Sequence, residues 1–140
     1  MRLFILLSLV LLVSCGAQKK GPTYGKTTVQ ELIAEKGEPV KEEVIPVDDA
    51  KVVHFEGGDK YQTKNDIVTN GYLTPNKSQR NLIYWKHAFK DCDVITQKLT
   101  EKQVGHEKPE YLMKCDAMGI GVVYTQDSDI VLRVIEYEAK

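Results

Sequence analysis

The chain has 140 residues, with 19 lysines and arginines against 20 aspartates and glutamates, for a net charge of −1. That length suits one small domain around a single core, and the near-neutral balance argues against nucleic-acid binding, which calls for a broadly basic domain. No segment repeats at a fixed period, which argues against a solenoid.

At the N-terminus, Arg2 precedes an apolar run from Leu3 to Val13 that is interrupted only by Ser8. A membrane-spanning helix needs about 20 apolar residues, and a shorter run of about 10–14 reads as the core of a signal peptide. The basic start, the short apolar core and the small Ser14 are the three parts of a secretory signal, assigned here to residues 1–14. The stretch Leu12-Val13-Ser14-Cys15 resembles the lipobox of bacterial lipoproteins. That resemblance implies cleavage before Cys15, a diacylglyceryl group on its thiol and a further acyl chain, of the palmitate type, on its amine. One acyl chain binds a membrane only marginally, whereas two or three hold a protein stably. Gly16 stands where lipoproteins retained in the inner membrane often carry Asp, so the resemblance places the protein in the outer membrane, facing the periplasm. Residues 16–25 are rich in glycine, without apolar periodicity, and read as a flexible tether from Cys15. A single domain is expected over residues 26–140.

With Cys15 lipidated, two cysteines remain, Cys92 and Cys115. The periplasm is oxidising, so these are expected to form a disulfide, worth roughly 3–4 kcal/mol through the loop it closes.

Along the mature chain, Thr28-Val29-Gln30-Glu31 is a capping box. It opens a short helix with Val29, Leu32, Ile33 and the stem of Lys36 on one face, ended by Gly37 and Pro39. Residues 51–56 read as a strand bounded by Gly57-Gly58. Ile67-Val68-Thr69 and Tyr72-Leu73-Thr74 flank Asn70-Gly71, which predicts a tight hairpin turn at that dipeptide. Residues 82–87 alternate as a strand with both faces apolar. Residues 92–104 fit a helix through Cys92, Ile95 and Leu99, or a strand through Val94 to Thr100. Residues 121–125 and 130–137 form a hairpin whose link, Gln126 to Asp129, is turn chemistry. The expected fold is α+β in two layers: one short N-terminal helix packed on an antiparallel meander of about four strands.

No catalytic, metal or cofactor set emerges from the residues. The only mature serines, Ser78 and Ser128, lie in polar turn-like stretches without a nucleophile elbow. His54, His87 and His106 are far apart and lack ligand spacing. Gly119-Ile120-Gly121 reads as a turn into a strand and not as a phosphate loop. Residues 60–90, in contrast, carry six cations and one acid and crowd four aromatic or imidazole side chains at Tyr84, Trp85, His87 and Phe89. Aromatic anchors dominate interface energetics, so Tyr84, Trp85, Lys86, His87 and Lys90 form the candidate binding surface.

The lipobox and tether, Gly25-Lys26-Thr27 before the helix, Gly37-Glu38-Pro39 after it and the closing hairpin from Tyr124-Thr125 to Val131 together resemble the SmpA/OmlA family of small outer-membrane assembly lipoproteins. The sequence departs from that pattern at Lys26, where an apolar residue is usual, and in its longer segment 57–115. The resemblance implies a non-catalytic domain that binds or scaffolds other cell-envelope proteins, with no cofactor. The alternative is a small inhibitor or ligand-binding module that uses the basic, aromatic residues 60–90, since the same helix-plus-sheet unit occurs in secreted enzyme inhibitors.

Overall fold

A computed structural model describes residues 21–46, 49–99 and 109–140; the signal segment, Cys15 and His106 lie outside them. The described residues form two helices and eight strands: α1 (Val29–Lys36), β1 (Lys41–Ile45), β2 (Ala50–His54), β3 (Lys60–Lys64), β4 (Ile67–Leu73), α2 (Leu82–Ala88), β5 (Val94–Lys98), β6 (Glu110–Cys115), β7 (Ile120–Thr125) and β8 (Ile130–Tyr137). All eight strands join one sheet in the order β1-β2-β3-β4-β8-β7-β6-β5, and every neighbouring pair is antiparallel.

The expectation of one helix on about four strands is overturned. Its first helix forms as expected: Thr28 accepts from the Glu31 amide, Glu31 returns a bond to the Thr28 amide, and Gly37 closes the helix at a φ of 91°. The second helix replaces the strand expected at 82–87. Asn81 caps it, its Oδ1 accepting from the Ile83 amide at 2.8 Å, and Leu82, Trp85 and Phe89 fall on one helical face and are buried. An apolar run with bulk on both alternations satisfies either period, and the cap decides for the helix.

The Asn70-Gly71 turn is also corrected. Both residues lie inside β4, paired with Gln62 and Tyr61 of β3, while the reversal is made by Asn65 and Asp66, at φ 50° and 61°. Gly71 answers a different need: a Cβ there would collide with the Tyr24 hydroxyl, which packs over it. Tyr24 itself belongs to the core cluster with Leu32, Val53 and Tyr61, and the Gly25 amide donates to Val68 O at 2.8 Å. The folded domain therefore begins before Lys26, inside the stretch read as tether.

Each half of the chain is a helix followed by a four-stranded meander, and the halves share a set of corresponding backbone bonds. The N-cap of each helix bridges the first residue of the fourth strand of its half, Thr28 with Ile67 and Asn81 with Ile130. Val29 donates to Asp66 O and Leu82 to Asp129 O, at 2.9 and 3.0 Å; Val68 donates to Thr27 O and Val131 to Arg80 O, both at 2.8 Å. Asp66 and Asp129 both adopt left-handed backbone, and a register shift interrupts the last hairpin of each half at corresponding points, Gln62/Thr63 and Val123/Tyr124. The sequence keeps one trace of this, Asp-Ile-Val at 66–68 and again at 129–131. The second half is longer, chiefly between β5 and β6, so no fixed period appears.

The two halves meet at β4 and β8, where Tyr72 pairs with Ile135, each five residues beyond the first residue of its strand. That pair marks a pseudo-two-fold axis through the sheet. Antiparallel neighbours in register point to one side, so the axis leaves both helices on the same face. Leu32 sits among Val53, Phe55, Tyr61 and Val68. Leu82, Trp85 and Phe89 sit among Met113, Cys115, Val122, Val131 and Val134. Leu73 packs against both clusters. The expected disulfide is formed between Cys92 and Cys115, with Cα atoms 6.0 Å apart, and ties the end of α2 to β6.

Two tyrosine–carboxylate bonds brace the sheet, one on each face. Tyr24 donates to Glu136 Oε2 and Tyr137 to Asp116 Oδ1, each at 2.8 Å. Burial first, and then the neighbouring carboxylate, raises both phenols well above their ordinary value. A raised phenol favours the neutral form in the fold, so its stabilisation is complete below the unfolded pKa near 10 and is lost as pH climbs beyond it. Circular dichroism should show stability falling from about pH 10 upward, with a shallower fall in Tyr24→Phe/Tyr137→Phe. An unchanged slope in that variant would contradict the assignment.

Candidate binding surface

The residues singled out at 84–90 are only partly brought together. Trp85 is 4% exposed; its indole donates to Gln79 O at 2.7 Å, and its ring packs on Phe89 at 5.6 Å. It is core and leaves the binding set. Tyr84, 46% exposed, stands edge-on to Trp85, and beside it Ile83 is 65% exposed. Lys86, His87 and Lys90 are exposed on the same short helix and the turn after it; Lys90 makes a loose surface pair with Asp91 at 3.9 Å, of the kind that contributes little. The outer side of α2 is thus a small patch of one aromatic, one aliphatic and several basic groups.

Lys60 and Tyr72, also in segment 60–90, lie on the opposite side of the sheet. Side chains alternate across a strand, so Lys60, paired with Tyr72, and Ile135, paired with Tyr72 and Gly121, form one row on the face away from both helices. Lys114 continues that row beyond Gly121, and His54 beyond Lys60. Residues 60–90 therefore do not make a single continuous surface.

At the middle of this helix-free face, Tyr72 donates to Gln62 Oε1 at 3.2 Å. Burial raises its phenol pKa, while the nearby Arg133 charge opposes that rise. Arg133 Nη2 lies 3.0 Å from Glu110 Oε2, joining a guanidinium whose side chain is 40% exposed to a carboxylate that is 1% exposed. A small cavity opens here, lined by Gly58, Lys60, Tyr72, Leu73, Thr74 and Arg133. Register is what gathers these groups: Lys60 and Arg133 are far apart in sequence and come together only because β3, β4 and β8 are adjacent. The lysine-and-tyrosine composition of β3 and β4 was visible in the sequence, but not which side of a sheet it would occupy.

The chemistry considered for other residues resolves into structural roles. Ser78 donates to Asn76 Oδ1 at 2.9 Å within the loop before α2, and Ser128 shares a hydrogen bond with Thr125 in the β7–β8 turn. Cys92, the cysteine nearest His87 in sequence, is held in its disulfide. His54 Nε2 is buried 3.2 Å from Glu43 Oε2, without the alignment of a hydrogen bond. Among the described residues no group of three or more His, Cys, Asp or Glu side chains could hold a metal ion, and no helix is long and apolar enough to cross a membrane.

No protein-family model, curated protein or solved structure matches the chain.

Trp85 is the sole tryptophan, so its burial can be read directly. The native protein should emit at short wavelength and resist acrylamide quenching, and Trp85→Ala should cost about 3–5 kcal/mol of stability, as for other buried aromatic truncations. Emission like that of free tryptophan in the folded protein would contradict this placement.

Proposed function

We propose that the protein is a membrane-anchored, periplasm-facing lipoprotein whose folded domain binds or scaffolds other cell-envelope proteins without catalysis. The observation that carries this reading is the apolar run that ends in Leu12-Val13-Ser14-Cys15, because it gives one residue both a processing site and an anchor. The Cys92–Cys115 disulfide is in keeping with an oxidising compartment. An antiparallel sheet with one face free of helices among the described residues offers a broad surface for docking, and the few residues of sequence between Cys15 and Tyr24 would keep that surface near the membrane. By resemblance to the SmpA/OmlA lipoproteins the destination is the outer membrane.

Labelled palmitate should enter the wild-type protein and not Cys15→Ala. Cross-linking in intact cells should capture one envelope protein in stoichiometric amount, and its yield should drop in Cys15→Ala. No label in the wild type would overturn the anchor, and no partner above background would overturn the scaffold.

A further inference from the structure

We propose that the helix-free face is the docking surface for an acidic segment of a partner protein, with a partner carboxylate seated between Lys60 and Arg133 beside Tyr72. This deepens the scaffold reading and takes from it only that the domain binds a protein.

The placement comes from register. Lys60, Tyr72, Ile135 and Gly121 form one cross-strand row through the centre of the face. The Lys60 ammonium is exposed and makes no ion pair among the described residues. Arg133 commits Nη2 to Glu110, and a guanidinium has five donors in a planar fork. The buried Glu110 therefore fixes the orientation of Arg133, while 40% of the side chain stays exposed. The cavity between them is also lined by Thr74 and Tyr72. Two cations around a small concavity, one of them held in place beforehand, suit a carboxylate.

The two cations are not repeated at the positions related by the pseudo-two-fold. Corresponding core positions agree in kind: Val68 with Val131, Leu32 with Trp85, Val53 with Met113, Tyr61 with Val122, all buried. On the helix-free face the correspondence fails. Lys60, opposite Tyr72, corresponds to Gly121, opposite Ile135, and Arg133 corresponds to Asn70. The cations thus lie off-centre on a symmetric frame. A one-sided basic notch fits one acidic partner by charge complementarity. Half-buried Tyr72, Ile135 and Leu112 around the notch supply the mixture of apolar area and charge that protein interfaces use, which favours a polypeptide over a lipid headgroup.

The test is fluorescence anisotropy with the full chain purified in detergent and a fluorescein-labelled decaglutamate peptide as the probe, at low salt, where such contacts are least screened. Lys60→Glu should weaken binding at least tenfold and Tyr72→Ala several-fold, while Lys26→Glu, at an exposed position before α1, should leave it unchanged. Short-wavelength Trp85 emission in each variant confirms that it is folded. Undetectable binding, loss in Lys26→Glu but not in Lys60→Glu, or equal Lys60-dependent binding to phosphatidylglycerol vesicles would each overturn the proposal. Because the peptide assay does not involve the anchor, Cys15→Ala should bind decaglutamate as the wild type does. Failure of the lipoprotein reading and failure of the notch would therefore be seen separately.

Discussion

The pairing of β4 with β8 is the constraint on which the rest of the structure depends. Asn70 to Leu73 lie against Tyr137 to Val134, and through those four pairs two meanders become one sheet. Each half alone has one short helix and a small buried cluster, less apolar surface than a domain of that length needs to hold itself folded. Joined, they share Leu73 as common core. The Tyr24 ring, from before α1, reaches over Gly71 to Glu136 on β8 and fastens the first half to the second on the helix side. The seam also sets what the helix-free face can present, because it alone brings Lys60 and Tyr72 alongside Arg133.

The two halves solve the same packing problem with different materials. In the first, Tyr61 and Phe55 meet edge-on at 5.8 Å beneath Leu32, and Lys36 lies over the Tyr61 ring at 5.2 Å. In the second, Trp85 and Phe89 take the helix positions, and Cys115 stands where Phe55 stands in the first. A sulfur is smaller than a phenyl ring, and the bond to Cys92 replaces packing with a covalent tie worth about 2–4 kcal/mol. That tie falls in the half whose β5–β6 connection is long, where closing the chain costs the most entropy. The outer strands differ as well. Lys41, Glu42 and Glu43 put charge along β1, a common protection for an edge, whereas β5 carries Val94, Ile95 and Thr96.

What could be read in advance followed the range of the signal. The capping box at Thr28, the stop at Gly37 and the β7–β8 hairpin rest on residues within one turn of each other, and all three stand. The disulfide followed from having only two cysteines to pair once Cys15 is set aside. Residues 82–88 failed because an apolar run with bulk at every position fits two periods. Asn70-Gly71 failed because glycine can mark a close packing contact as well as a turn. β1 went unseen because Lys41, Glu42 and Glu43 are consecutive charges on a strand exposed on both sides, and β3 and β6 because Lys60, Gln62 and Lys64, and Glu110 and Lys114, stand on their side away from the helices. The second half was hidden by its own divergence, with Asp-Ile-Val too short to announce a repeat. As for the binding surface, its residue types were legible and its location was not: Trp85 turned inward, and the basic notch needed three strands in register.

Two equivalent units form one cooperative body through the β4–β8 seam. Amide hydrogen exchange with increasing denaturant tests it most directly, since it resolves regional opening from global unfolding. Protected amides in β2–β4 and in β6–β8 should share one opening free energy, equal to that of the whole protein, with the amides that bridge the seam among the slowest. Opening of one half at distinctly lower free energy, with the other still protected, would contradict it.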